Sequence, residues 1–297
     1  MKSYSILKHY AAAIFLSVVA VVVISFVSCQ KNSSIKNENP AVNQKVSLYL
    51  NDDPSYNFSK VLVDIRYVEV KVDTGSVVNP HHENDEDRDD DHISHDSYGQ
   101  WDTLSVNAGI YDLLRLRNGV DTLLASGYVW HGRLTKVRFT LGTNNAVWTD
   151  STHSYPLFLC ENRPYVYAKL GANTIDTLPG GQVQVHIDFD VTKSIKKENG
   201  AYCLKGELKA YSHNNTGKIE GKVFPKEARP LIKAFNSTDT AYATPFEDDG
   251  EYKITGLKDG VYSIYYDAVS PYKDTTITNV RVYRGSETKI PVFTLRR

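Results

Sequence analysis

Residues 60–72 read KVLVDIRYVEVKV, a run that alternates between the two sides of an extended chain. Val61, Val63 and Ile65 fall on one face, because successive side chains of a strand point to opposite sides. Leu62 and Val68 place apolar groups on the other face as well. Apolar groups on both faces are typical of a strand in the middle of a sheet, so we predict a central β-strand here.

The same period of two recurs along the chain. It predicts strands at residues 46–50, 111–116, 120–124, 133–141, 164–170, 182–191 and 202–211. Asn118-Gly119 lies between two of these runs, and Asn-Gly is a strong signal for a tight turn. We therefore predict a hairpin of 111–116 with 120–124. Residues 192–198 are the only helical candidate beyond the first 29 residues.

Short strands continue to the C-terminus, at residues 218–224, 231–235, 251–254, 261–267, 274–283 and 288–295. The polar run at 214–217 marks a junction before them. With 20 tyrosines in 297 residues, the composition suits half-buried strands. We predict an all-β protein with two β-sandwich domains, a larger one at 46–215 and a smaller one at 216–297.

The N-terminus has the layout of a secretory signal. Lys2 and Lys8 precede an uncharged run at 10–27, and small residues lead into Cys29. This arrangement resembles a bacterial lipoprotein signal, which implies a signal peptide at 1–28, a lipidated Cys29 and membrane attachment through the lipid. Gln30 in place of Asp implies sorting to the outer membrane, with a periplasmic or surface-exposed position left open. The alternative is a plain transmembrane anchor.

Residues 30–45 are polar and bury too little apolar surface to fold alone, so we expect a flexible tether.

The C-terminal stretch contains Gly-Leu-x-x-Gly-x-Tyr at 256–262, after Gly250-Glu251-Tyr252. It resembles the carboxypeptidase regulatory-like domain, a transthyretin-like sandwich without catalytic residues, some of whose relatives bind starch.

Residues 46–211 resemble an envelope-protein family named domain of unknown function 4382. The residues that carry this resemblance are at 50–54, 111–116, 136–139, 188–190 and 194–195. The family implies no activity.

A dense charged run could bind a divalent cation, with carboxylates that suit calcium and imidazoles that suit zinc or copper. Its candidate ligands are His81, His82, Asp85, Asp87, Asp89, His92, His95 and Asp96. The alternative is a solvated loop tip without metal. Apart from Cys29, the cysteines are Cys160 and Cys203, which an envelope location permits to pair. The sequence leaves open whether they form a disulfide or remain separate thiols.

Two further groups have a functional and a structural interpretation. Asp188 and Asp190 share one face of a strand, as the acids of a glycosidase could, but Asp190 also stands where a helix N-cap is useful. Tyr252, Tyr265 and Tyr272 could contact a glycan or a partner protein, or could pack in a core.

The formal charge of −1 argues against nucleic acid as a partner. The sequence has no nucleophile elbow, His-Glu-x-x-His or phosphate loop, so no catalytic residue is predicted. Our first hypothesis is a non-catalytic envelope lipoprotein that binds a glycan, a surface polymer or an envelope protein. The alternatives are a structural subunit of a surface fibre and weak metal binding by the run at 81–96.

Overall fold

The computed structural model describes residues 43–52, 58–75, 99–246 and 248–297. These residues are almost entirely β-structure, as predicted, and the α-helix among them is the short α1, Val191–Ser194. None of the described helices has the length and apolar character that a membrane crossing requires.

The first 15 strands build two sheets. Their bounds are β1 Asn43–Asn51, β2 Lys60–Asp73, β3 Gln100–Thr103, β4 Ser105–Val106, β5 Gly109–Asp112, β6 Thr122–Trp130, β7 Arg133–Leu141, β8 Ala146–Trp148, β9 Ser154–Leu159, β10 Tyr165–Lys169, β11 Ile175–Leu178, β12 Gln182–Phe189, β13 Ile195–Glu198, β14 Ala201–Leu204 and β15 Leu208–Tyr211. The six-stranded sheet has the order β11-β12-β1-β6-β4, with β15 also paired to β12. The nine-stranded sheet has the order β10-β7-β2-β8-β9-β14-β13, with β3 and β5 also paired to β2.

The two sheets share one hydrophobic core, which makes this part a β-sandwich. Val46, Leu48 and Leu50 of β1 are fully buried in the same cluster as Val63 and Ile65 of β2. Alternate residues of each strand face the other sheet, which removes a continuous apolar surface from water.

Strand β2 is central, as its sequence predicts. Its apolar residues fall on both faces because a bulge interrupts the strand. The pairing of β2 with β7 shifts between Ile65 and Tyr67. Val61, Val63 and Ile65 face the core before this bulge, and the even-numbered residues from Val68 onward face it afterwards. The bulge moves the inward set by one residue, so the apolar residues face the core on one side of the strand at a time.

The predicted hairpin of residues 111–116 with 120–124 is wrong. Strand β5 pairs with β2 in the nine-stranded sheet, whereas β6 pairs with β1 in the six-stranded sheet. Asn118 and Gly119 do adopt positive φ, 59° and 72°, as the turn chemistry requires. The turn therefore carries the chain between sheets, because an Asn-Gly signal specifies local backbone and not the strand's partner.

Two other predicted elements are divided. The predicted helix at 192–198 is α1 followed by β13, and the predicted strand at 202–211 is β14 and β15 in different sheets. Gly206 lies at that crossing with φ of 75°. A Cβ at this position would lie 2.2 Å from Val166 Cγ1, so only glycine fits the turn.

The remaining strands form a second, smaller sandwich. They are β16 Gly217–Phe224, β17 Leu231–Phe235, β18 Thr240–Ala243, β19 Glu251–Leu257, β20 Gly260–Asp267, β21 Thr275–Val282, β22 Glu287–Lys289 and β23 Phe293–Thr294. One sheet has the order β19-β16-β22, with β23 paired to β16, and the other has the order β18-β17-β20-β21. A separate core contains Ile219, Ile232 and Ile264. Both sandwiches belong to one compact unit.

Candidate functional site

Some predicted site residues lie outside the described part of the chain. They are the lipidation candidate Cys29 and the metal-ligand candidates His81, His82, Asp85, Asp87, Asp89, His92, His95 and Asp96. Their predicted roles stay predictions.

Cys160 and Cys203, whose pairing the sequence left open, form a disulfide with a Cα–Cα distance of 5.0 Å. The bridge joins the 3₁₀ turn Cys160–Asn162 to β14. Glu198 lies close to both sulfur atoms, but disulfide sulfurs are not the thiolates that bind metal.

The three candidate tyrosines do not form a binding surface. Tyr252 is 1% exposed, so its predicted ligand contact is wrong. Its hydroxyl lies 2.7 Å from that of Tyr266, and this bond allows both rings to enter the core. The Tyr265 hydroxyl donates to Asp274 at 2.7 Å, which raises the pKa of Tyr265 to about 12. Tyr272 is half-buried against the second core.

The two aspartates at the end of β12 are buried and have structural surroundings. Asp190 accepts a hydrogen bond from the backbone N–H of Lys193 at 3.0 Å, which confirms the predicted N-cap. Its other oxygen pairs with Lys193 Nζ at 2.6 Å. Asp188 lies opposite Lys209 in the pairing of β12 with β15. Nothing in this arrangement points to catalysis.

The outer face of the nine-stranded sheet carries a set of aromatic and basic side chains, which we call the aromatic face. Strand register orders it into three rows across β3, β2, β7 and β10. These rows are Tyr67–Thr140–Tyr165, Thr103–Glu69–Arg138–Tyr167 and Trp101–Lys71–Lys136–Lys169. Tyr67 is 59% exposed and Tyr165 is 47% exposed, so rings on this face reach solvent.

Arg138 organises the centre of the aromatic face. Its Nε and Nη2 donate to the two carboxylate oxygens of Glu69 at 2.8 and 2.9 Å. The same guanidinium lies 4.3 Å from the ring centroid of Trp101 and 5.1 Å from that of Tyr165. The Glu69 hydrogen bonds raise the pKa of Arg138. A bidentate pair fixes the guanidinium plane, so the rings beside it are held in place.

A second cluster lies where the first sandwich meets the segment that leads to the second. Asp121 precedes β6, His186 lies in β12, and His213 follows β15. Asp121 Oδ2 is 3.2 Å from His186 Nδ1 and 3.0 Å from His213 Nε2. Burial favours a raised pKa for Asp121, but the contacts with His186 and His213 outweigh it and lower the pKa to about 2.

Polar contacts join the two sandwiches beside this cluster. Asn51 Nδ2 donates to Thr255 Oγ1 at 3.4 Å, and Lys209 Nζ lies 3.1 Å from Asp239 Oδ1. Two clefts of about 270 and 260 Å³ flank the connecting segment. The first is lined by His213, Thr255 and Gly256 among others, and therefore opens next to the histidine cluster.

Sequence reasoning missed both of these groupings. The alternation at Tyr67, Glu69 and Lys71 was readable in β2, but Trp101 and Tyr165 join it only through strand register. Asp121 and His213 are 92 positions apart, and no local spacing links them.

Comparison with solved structures gives only weak similarity. The alignment with the Bacillus anthracis TIE protein covers 80% of this chain and 35% of that protein's chain, with 9% identity and a TM-score of 0.22. The minor pilin GBS52 of Streptococcus agalactiae matches 86% of this chain and 97% of its own, with 9% identity and a TM-score of 0.20.

A double mutant of the shaft pilin SpaA from Lactobacillus rhamnosus GG matches 86% of this chain and 98% of its own, with 10% identity and a TM-score of 0.23. This chain thus spans about a third of the TIE protein and nearly the whole of each pilin. Similarity at this level says nothing about function.

Comparison with curated protein sequences gives no significant match. A family profile described as "Domain of unknown function (DUF4382)" matches residues 43–206. The match spans β1 to β14 and covers more than half of the 297 residues. The chain therefore belongs to the DUF4382 family.

Proposed function

We propose that this chain is a non-catalytic, lipid-anchored protein of the outer membrane that binds an acidic glycan through the aromatic face. The aromatic face itself is the observation that carries the proposal. Anchoring through Cys29 is supported by the N-terminal sequence pattern. The C-terminal resemblance to carboxypeptidase regulatory-like domains supports a second sandwich without catalytic residues.

The geometry favours a sugar because the face presents rigid rings among polar groups. Tyr and Trp offer large contact areas and lose little conformational entropy on binding. Their electron-rich ring faces suit the C–H faces of sugar rings. The Arg138–Glu69 pair keeps this surface ordered before any ligand arrives, which lowers the entropic cost of binding.

The charges of the face favour an acidic ligand. Arg138, Lys136, Lys169 and the buried Lys71 outnumber Glu69 in the second and third rows. Attraction between exposed charges weakens with ionic strength. An acidic polysaccharide should therefore bind more weakly as salt is added, and a neutral glycan should respond little.

A glycan array tests the proposal. The full-length protein in mild detergent is applied at low and high salt, beside Trp101→Ala and Tyr128→Ala. Tyr128 is 46% exposed on a strand of the other sheet and serves as the matched control. We expect acidic glycans to be retained by wild type and Tyr128→Ala and to be lost by Trp101→Ala. If the protein retains no glycan and one envelope protein is pulled down with it from cross-linked cells, the ligand is a protein and the glycan proposal is wrong.

A structural role in a surface fibre is the second candidate, and strand β21 is the observation that favours it. Among the residues that the structure describes, this eight-residue strand forms the edge of its sheet and pairs only with β20. Open edges accept further strands. Sedimentation of the full-length protein over a wide concentration range tests this role, since a fibre subunit should form extended oligomers. A monomer at every concentration would exclude the role.

A further inference from the structure

Three side chains with metal-binding atoms converge at the start of the segment between the sandwiches. Asp121, His186 and His213 each offer one ligand atom, and these atoms lie within 4.8 Å of one another. We propose that the three residues form a binding site for a divalent transition metal of the zinc class. None of the three residues belongs to the charged run at 81–96 or to the aromatic face.

The spacing of the atoms fits a four-coordinate metal. Bonds of 2.0–2.1 Å in a tetrahedron place neighbouring ligand atoms about 3.3 Å apart. Asp121 Oδ2 is 3.2 Å from His186 Nδ1 and 3.0 Å from His213 Nε2. Two of the three ligand–ligand distances are thus close to this spacing, and the third, between the two histidines, is within 4.8 Å.

Unsatisfied polar atoms supply an independent argument. His186 is 4% exposed. Within the part of the chain that the structure describes, neither of its ring nitrogens has a partner in hydrogen-bond geometry. The contact with Asp121 is close enough for an ion pair but does not have that geometry. Asp121 Oδ1 is also buried without such a partner. Buried polar atoms of this kind are rare and costly, and a metal would use the nitrogen that faces the cluster.

The donor set selects the class of metal. Two imidazoles and one carboxylate suit zinc and its first-row neighbours, whereas calcium and magnesium prefer oxygen donors. Three protein ligands leave one position of a tetrahedron open. His213 lines the cleft of about 270 Å³, so water or a small ligand can reach this residue.

The surrounding residues connect the site to the junction. The Tyr49 ring stacks on His186 at 5.1 Å, and the Tyr211 ring lies 5.5 Å from both His186 and His213. The hydroxyl of Tyr211 contacts Asn51 and, at 3.4 Å, Thr255 of the second sandwich. A metal bound to His213 would tie the connecting segment to the first sandwich at this point.

The test is a zinc titration of the full-length protein in detergent, without a histidine tag, against a chromophoric chelator. His81, His82, His92 and His95 are replaced by Asn in the starting protein, so that the charged run does not compete. We expect one zinc per chain. We also expect one Co²⁺ per chain, with the intense visible absorption of a tetrahedral site.

His213→Asn and Asp121→Asn should each weaken zinc binding by more than about 100-fold. Mutating residues that only hydrogen-bond to the metal ligands already costs about 10–100-fold in affinity. The His213 side chain is 41% exposed, so this variant should fold, and its circular dichroism should match the starting protein. His153→Asn is the matched control, because His153 pairs with Asp150 on the surface. This variant should bind zinc with the same affinity as the starting protein. No zinc in the starting protein, or unchanged affinity in folded His213→Asn, would overturn the proposal.

Discussion

At the residue scale, the structure shows how polar groups become part of a core. Tyr252 and Tyr266 are both buried, their rings pack edge to face at 6.1 Å, and their hydroxyls bond each other at 2.7 Å. Burial raises the pKa of both hydroxyls. The pair explains why a ligand-contact prediction from the tyrosine content failed here. The sequence pattern predicts which face of its strand a tyrosine occupies. It does not predict whether a second tyrosine hydroxyl lies opposite on the other sheet.

Tyr252→Phe should lower the free energy of unfolding by about 1–3 kcal/mol, because it leaves the Tyr266 hydroxyl unsatisfied in the core. The double variant with Tyr266→Phe should recover most of that loss, since both polar groups are then gone. Urea unfolding of the two single variants and the double variant measures the coupling. Additive losses would show that the hydroxyl pair contributes nothing.

Asp239 gives a pH-dependent prediction at the contact between the sandwiches. Burial favours a raised pKa, but Lys209, the backbone N–H of Lys258 and the Tyr262 hydroxyl outweigh it, so the pKa is lowered. A lowered folded-state pKa stabilises the protein above the unfolded value of about 3.9, and this stabilisation is lost as pH falls through the folded value.

Asp239→Asn should therefore lower the free energy of unfolding by about 1–3 kcal/mol at pH 7, a value reduced because Lys209 is partly exposed. The difference from wild type should shrink as the pH falls below about 4. Denaturant unfolding at pH 7 and pH 3 measures both values. An equal difference at the two pH values would contradict the charge-based explanation.

At the element scale, sequence periodicity predicted the long strands well and their partners poorly. Strand β7 has the predicted bounds, Arg133–Leu141, and β2 extends the predicted run by one residue. The hairpin at Asn118-Gly119 failed because both flanking segments pack into one core from different sheets. Short strands such as β18 have too few residues for alternation to be visible. The same limit applies to the site, because register across β2, β7 and β10 assembles the aromatic face.

The disulfide links two elements, because it joins β14 to the residue that follows β9. Its cysteines are 43 positions apart, and closing a loop of that length removes about 4 kcal/mol of unfolded-state entropy. Replacing both cysteines by Ala should lower the free energy of unfolding by about 2–4 kcal/mol. Urea unfolding with and without reductant checks this, since wild type should respond to the reductant and the variant should not.

At the scale of the whole molecule, two sandwiches with separate cores meet through polar contacts around Tyr211. The aromatic face lies on the nine-stranded sheet, whereas the second sandwich contacts the six-stranded sheet near the end of β12.

A lipid on Cys29 would hold this assembly at a membrane. Cys29→Ser should move the protein from the membrane fraction to the soluble fraction, and mass spectrometry of the mature N-terminus should find an acylated Cys29 in wild type alone.

The central claim is that the aromatic face binds a glycan, and calorimetry with one acidic glycan retained on the array tests it most directly. A sugar stacked on an aromatic ring removes apolar surface from water at about 25 cal/mol per Å², so covering about 60 Å² accounts for about 1.4 kcal/mol, or tenfold in affinity. Trp101→Ala and Tyr165→Ala should therefore each weaken binding by about tenfold or more, while Tyr128→Ala should bind like wild type. Equal affinity of all four proteins would contradict the account.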